Sequence, residues 1–458
     1  MKKLLIGTGL DRAVVYALAT RVWALLSSFV MLALIIRFLS SEEQGYYYTF
    51  SAILGAQILF ELGLSMVVTQ FASHAMAKLS WSANGVLDGD LTEKARMRSL
   101  VRLMVKWYAT LGVIIIVVLG PAGWLFLSHA NPATSVHWQL AWSWLIVAAA
   151  ANLLTLPMLA LLEGCGCVAE IARLRFHQSI VGSLIAWTTL LLGGGLLAMS
   201  AWNTALAVVA YASLAKRRRH FFRDMLRGGQ QAGPDIPWKT EIWPFQWRIG
   251  LSWTSGYFIF QLFVPMLFAA RGAVEAGKMG LSLAIANALL GISISWLNTK
   301  APKFGELIAR RDYLQLDRLF ARTLRSTLVL QIIGSVTACV GLYLLNVFHI
   351  PLGTRLLEPQ AFTVLVAATL ITYITIAQAT YLRAHKEEPF LSISLATGFA
   401  VALLTQLTVG PYGATGMMWS YLACTVIIGL GWGSTIYRSK RRAYMAATTI
   451  SGPSGEKA

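Results

Sequence analysis

The sequence predicts an all-α integral membrane protein of about twelve transmembrane helices, built as two six-helix halves around a central cleft. Three observations predict it: an apolar composition, a succession of bilayer-length apolar runs, and the one-sided placement of Lys and Arg. Of 458 residues, 57% are hydrophobic and 13% charged, an apolar excess that a soluble domain of this length has no core to hide. Runs of about 17 to 25 apolar residues, enough to cross the hydrocarbon layer, follow one another along the chain.

In order, the predicted spans are Val14 to Ile36, Tyr46 to Val68, Val105 to Leu127, Trp138 to Leu162, Ser179 to Met199 and Trp202 to Ala215 in the first half. Phe245 to Ala270, Met279 to Leu297, Ser326 to Phe348, Pro359 to Leu382, Phe390 to Val409 and Ala414 to Tyr437 make the second. The sixth is short and rests on the basic stop "AKRRRH" that follows it. Positive charge is retained on the cytoplasmic side of a bilayer. With the N-terminus inside, 33 of the 38 Lys and Arg sort to that side, Arg37, Arg271, Lys278 and Arg355 lie outside, and Arg21 is left within a span. This bias supports an even number of spans and two cytoplasmic termini. The net charge of +18 is therefore an inner face suited to anionic lipid, not a nucleic-acid surface.

The start "MKKLLIGTGLDR" is not read as a removable signal peptide, because Asp11 and Arg12 interrupt its short apolar stretch. Cys165, Cys167, Cys339 and Cys424 lack the spacing of a disulfide framework or a metal site and read as packing residues. No cofactor motif appears.

The two halves run 1–215 and 245–437, with a Gly-, Pro- and Gln-rich cytoplasmic linker at 216–244 and a cytoplasmic tail at 438–458. They echo each other. "EQGYYY" from Glu43 and "EAGKMG" from Glu275 each open the second span of a half and lie 232 positions apart, while "TQFASHAMAKL" from Thr69 and "TKAPKFGELIAR" from Thr299 lie 230 apart. Each is followed by a basic amphipathic segment, "EKARMRSLVRLMVKW" or "DYLQLDRLFARTLR", expected to lie along the inner membrane surface. Corresponding turns fall on the same side, so the repeat is parallel, with a pseudo-two-fold along the membrane normal.

Ionisable groups inside a span are costly enough to count as site candidates. Arg21 lies seven residues into the first span and Glu61, in "LFELGLSMVV", seven residues from the inner end of the second. At 1.5 Å per residue both sit about 10 Å deep. Packing of consecutive spans predicts an Arg21–Glu61 salt bridge, from which Arg21 can be released to an anionic group of matching fork geometry. Arg248 and Lys300, at inner ends in the second half, and Arg173 and Arg175, at the start of the fifth span, are candidates for a basic mouth; singly, each also reads as a snorkelling anchor. Gln57, Asn152, Gln178, Gln261, Asn287, Asn298, Gln331, Gln378 and Gln406 are read as cross-helix bonds or cleft lining, and His177 as an interfacial residue or a proton relay. Trp138, Trp202, Trp238, Trp243 and Trp247 are expected in interfacial aromatic belts.

"RFLSSEEQGYYYTFSAIL", "FELGLSMVVTQFAS" and "ALLEGCGCVAEIARLRF" resemble segments of the O-antigen and polysaccharide flippases, a branch of the multidrug/oligosaccharidyl-lipid/polysaccharide exporter superfamily. Glu61 stands where that family commonly has Asp, and Gln70 where a basic residue often closes the second span. The resemblance implies a bacterial inner-membrane transporter. It would move a polyprenyl-pyrophosphate-linked oligosaccharide, an O-antigen or exopolysaccharide repeat unit, to the outer leaflet. Its partners would be that lipid-linked substrate, membrane lipids, a polysaccharide polymerase and a chain-length regulator. An ion-coupled multidrug antiporter is the rival, disfavoured because Glu61 is the one acid well inside a predicted span. A membrane glycosyltransferase or polymer ligase is disfavoured by short outer loops and the lack of a catalytic motif.

Overall fold

The structure, a computed structural model, describes residues 12–82, 84–130, 135–227, 243–385 and 389–450. The N-terminal stretch, most of the linker and the end of the tail lie outside these residues. The chain forms two compact units, Met1–Thr254 and Ser255–Ala458.

The first unit begins with α1 (Arg12–Phe38), which packs along α9 (Val168–Leu191). Trp23 joins them, its Nε1 lying 3.2 Å from both the Ser179 carbonyl and Ser183 Oγ. The second span is broken into α2 (Ser41–Gly55), α3 (Ile58–Glu61) and α4 (Leu64–Ala75). A capping box starts α2: Ser40 Oγ accepts from the Glu43 amide at 3.0 Å, and Glu43 Oε2 accepts from the Ser40 amide at 2.7 Å. The Glu of the "EQGYYY" motif thus closes a helix end. A short antiparallel hairpin follows, β1 (Leu79–Trp81) on β2 (Leu87–Gly89), with Trp81 opposite Leu87.

The third span is one long helical run, α5 (Leu91–Ile114), a π-helical stretch (Ile115–Leu119) and α6 (Gly120–Ala130). Asp90 caps it, Oδ1 accepting from the amides of Thr92 at 2.8 Å and Glu93 at 3.0 Å. Those backbone donors, chiefly Glu93, hold the Asp90 carboxyl below its ordinary range. The expected surface segment "EKARMRSLVRLMVKW" is therefore not a separate helix lying on the membrane. No breaker separates it from the apolar run, so the helix continues straight into the span.

α7 (Gln139–Leu153) and α8 (Leu156–Gly164) form the fourth span, α9 the fifth, α10 (Leu197–Arg217) the sixth, and α11 (Arg219–Arg227) a short amphipathic continuation. The fifth span starts earlier than Ser179, because the charged turn Glu170–Arg175 is helical. The sixth, at 21 residues, is a full span rather than the short one expected. Trp138 is buried against Tyr46, rings stacked at 6.2 Å, and is a packing residue rather than part of a belt; Trp243 and Trp247 are exposed.

The seventh span, α12 (Trp243–Phe260) followed by α13 (Phe263–Arg271), runs across the boundary between the units. The second unit continues with α14 (Ala273–Ala309), α15 (Tyr313–Val347), α16 (Pro359–Ala384), α17 (Leu391–Cys424), a π-helical stretch (Thr425–Trp432) and α18 (Gly433–Ile450). α17 holds the eleventh span and the start of the twelfth. Gly413, at φ 57°, folds the chain back, and Thr408 Oγ1 meets Ser420 Oγ at 3.1 Å. Arg271 clasps this turn, donating to the carbonyls of Gly410 at 2.5 Å and Pro411 at 3.3 Å. Asp312 caps α15 through the Gln315 amide at 2.9 Å, and here too the basic segment belongs to the span helix. Among the described residues, eight helices are long and apolar enough to cross a bilayer alone and the bent run Ser41–Ala75 makes a ninth. With the fold-back at Gly413, α9 and the seventh span, the protein is an all-α membrane protein of about twelve spans.

Each third span is tied to the segment after the sixth. In the first unit Arg98 reaches Asp224 of α11 at 3.0 Å, with Lys94 at 3.5 Å from the same carboxylate. In the second, buried Asp317 accepts from Arg441 of α18 at 2.7 and 2.8 Å and from the Tyr381 hydroxyl at 2.8 Å.

Candidate functional site

The break in the second span is where a carboxylate enters the membrane. Leu62 (φ 50°) and Gly63 (φ 68°) are consecutive left-handed residues between α3 and α4. Only glycine takes that conformation without cost, so Gly63 makes the break tolerable and Leu62 is held there by its surroundings. Gly250 is among them, since a Cβ on it would come 2.9 Å from that of Leu62. Broken helices at membrane depth expose backbone groups, and they persist where protein or a polar cavity satisfies them.

Glu61 is the last residue of α3 and is buried. Its Oε1 accepts a very short hydrogen bond from Ser65 Oγ and one of 3.0 Å from the Tyr108 hydroxyl, and those two hydroxyls lie 2.7 Å apart. The carboxylate also sits beside the N-terminus of α4, where the helix dipole favours negative charge. Tyr108 comes from the fully buried face of α5. Tyr108 and Ser65 went unnoticed in the sequence because neither is ionised near neutral pH, although Ser65 at Glu61+4 is a helical neighbour.

α4 is locked to α8 below the break. Thr69 Oγ1 donates to the Ala160 carbonyl at 3.1 Å, and Gly164 lets the helices touch: a Cβ there would lie 2.5 Å from the Thr69 carbonyl. The Gly-containing loop of "ALLEGCGCVAEIARLRF" is thus a close-packing contact followed by a turn at Gly166, φ 83°. Burial pushes the Cys165 thiol up to about 12, leaving it protonated and inert.

Arg21 does not meet Glu61. It is exposed on α1, and among the described residues its guanidinium has no ion-pair or hydrogen-bond partner. The expected salt bridge fails because α1 packs against α9 rather than along the broken second span. Of the other candidates, Arg175 pairs with Glu163 at 3.1 Å, and Arg173 and Lys300 are exposed. Arg248 is in α12, its side chain outside the described ones. Gln178 bonds the Leu206 carbonyl at 2.8 Å and Gln378 bonds Ser434 Oγ at 3.0 Å, both cross-helix ties; Gln331 is buried with neither amide atom partnered among the described residues. Gln261, Asn287, Asn298 and Gln406 are exposed. His177 Nδ1 lies 2.7 Å from the Arg173 carbonyl.

Neither a protein-family model nor a curated protein sequence matches the chain. Solved structures do resemble it. A multidrug resistance MATE family transporter of the MOP superfamily in an inward-facing conformation superposes with a TM-score of 0.70 at 12% identity, over 93% of this chain and 96% of that one. The lipid II flippase MurJ in an inward closed conformation gives 0.63 at 10%, over 93% and 87%. A MOP superfamily transporter from Pyrococcus furiosus, whose structure is described as having a binding pocket of reverse polarity, gives 0.53 at 12%, over 95% of each chain. At these identities the likeness establishes the fold. The chain shares the fold of these three transporters.

Proposed function

We propose that this protein is a flippase for an oligosaccharide linked to polyprenyl pyrophosphate, an O-antigen or exopolysaccharide repeat unit, carried from the cytoplasmic to the outer leaflet of the bacterial inner membrane by alternating access between its halves. The observation that carries this reading is Arg21. A guanidinium about 10 Å into a span, with no carboxylate partner among the described residues, calls for an anion or water. Its fork of donors matches a pyrophosphate. Glu61, already supplied with two hydroxyl donors, does not compete for Arg21. In this reading Arg21 contacts the pyrophosphate, and the polyprenyl tail stays in lipid. Arg175, held by Glu163, contributes least.

The name of one structural neighbour, a lipid II flippase, lends the reading weight, and the names of the multidrug transporters keep the rival alive. A cation antiporter needs a membrane carboxylate free to exchange a cation, whereas Glu61 is buried and bonded. The test is transport in proteoliposomes. The protein should move a pyrophosphate-linked oligosaccharide between leaflets, and Arg21→Ala should lower that rate at least tenfold while the variant remains folded. Export of cationic dyes with no movement of the oligosaccharide would establish the antiporter instead.

A further inference from the structure

The fifth and sixth spans, α9 and α10, run antiparallel from a turn at Gly193–Gly195. They are pinned in mid-course. Gly182 faces Trp202 and Leu206, a Cβ there meeting them at 3.5 and 3.2 Å, and Gln178 Nε2 donates to the Leu206 carbonyl. Past these contacts toward the basic end the helices enclose a groove of about 260 Å³. The small residues Ala212 and Ser213 line it together with Arg173, His177, Lys216 and Arg217.

The charge in this groove is uncompensated. Its one acid, Glu170, is engaged by Arg218, which also lies 4.5 Å over the Trp81 ring. Among the described residues Arg173, Lys216 and Arg217 form no ion pair. Because a carbonyl only accepts, the 2.7 Å contact to the Arg173 carbonyl puts a proton of His177 on Nδ1, and in the neutral ring Nε2 is the acceptor. Further along the same helix faces the surface becomes apolar. Leu184, two turns beyond His177, is 45% exposed, and Val208, one turn beyond Ala212, is 59% exposed. Three cations with no ion pair among the described residues and a hydrogen-bond acceptor lining one groove, with exposed apolar residues further along the same helices, have the polarity profile of a lipid whose head group is an anion.

We infer that this groove is a binding site for an anionic phospholipid of the cytoplasmic leaflet. Arg173, Lys216 and Arg217 hold the phosphodiester. His177 Nε2 accepts from a head-group hydroxyl, as a glycerol head group offers, and the acyl chains lie over Leu184 and Val208. The lipid is a resident of the first unit, distinct from the cargo proposed above.

Native mass spectrometry of the full-length protein, titrated with phosphatidylglycerol, phosphatidylcholine or inorganic pyrophosphate, tests this. Phosphatidylglycerol should be retained at least fivefold more strongly than phosphatidylcholine. Arg173→Gln with Lys216→Gln should abolish that preference, while Arg322→Gln, an exposed cation of the second unit, should leave it intact. Should the double variant fail to fold, Ala212→Trp adds bulk to the groove lining without removing a charge and must lower phosphatidylglycerol retention on its own. Retention unchanged in the folded variants, or phosphatidylcholine held as tightly, overturns the proposal. So does pyrophosphate competing as well as the lipid, since it would show an anion site with no use for acyl chains.

Discussion

In the first unit Asp90 starts the third span, and within its opening turns Arg98 reaches Asp224 beyond the sixth. In the second unit Asp312 starts the equivalent helix, and Asp317 reaches Arg441 beyond the twelfth. The caps have the same sign and the ties have opposite signs. An N-cap needs an acceptor, because helix amides point outward at that end, so the acid recurs. An ion pair needs only complementarity, so either helix can supply the cation. The second spans differ more deeply: one is broken beside a buried carboxylate, whereas α14 runs unbroken for 37 residues. The units share a framework, and the polar insertion into the membrane belongs to the first.

The ties give the largest test of that comparison. Asp317 is 10% exposed and Asp224 26%. Asp317→Ala should therefore cost about 3 kcal/mol, measured as loss of thermal stability in detergent, and Asp224→Ala about half of it. Reversing both partners, Asp317→Arg with Arg441→Asp, should recover much of the loss; no recovery would mean that the sign at each position does matter. Next comes the carboxylate at the break. Glu61→Leu leaves the Ser65 and Tyr108 hydroxyls without their acceptor and should cost about 2 kcal/mol, while Glu61→Gln keeps an acceptor and should cost less than about 0.5. Gly63→Ala, at φ 68°, should destabilise by about 1 kcal/mol. The smallest effect is the coupling of Arg21 with Glu61. In a double-mutant cycle on stability it should fall below about 0.5 kcal/mol, and a coupling above about 1 kcal/mol would return the two residues to one site.

Span number and order were legible because they rest on local chemistry: apolar length and basic residues at the ends of runs. Contacts between helices were not. Arg21 and Glu61 are level in depth, but depth along two helices does not say that they adjoin, and α1 packs on α9 through Trp23. Trp138 reads like an interfacial residue from its position at a span end; its burial depends on Tyr46, more than ninety positions earlier. The left-handed Leu62 is invisible for a further reason. Gly63 announces a break, but the neighbouring leucine takes an unfavourable conformation under tertiary constraint alone. Asp317 escaped notice as a buried acid because it lies in a segment that looked like membrane surface and is instead the start of a span helix.

The uninterrupted third span has a practical consequence. From Leu91 to Ala130 it counts 40 residues, about 60 Å of helix, against a hydrocarbon layer of about 30 Å. At the tilts of up to about 40° that spans adopt, a rod of that length still exceeds the hydrocarbon layer, and α15 begins with a similar hydrophilic length. The hydrophilic start of each of these helices is therefore a segment that a soluble protease or a water-borne label reaches while the apolar remainder is shielded by detergent.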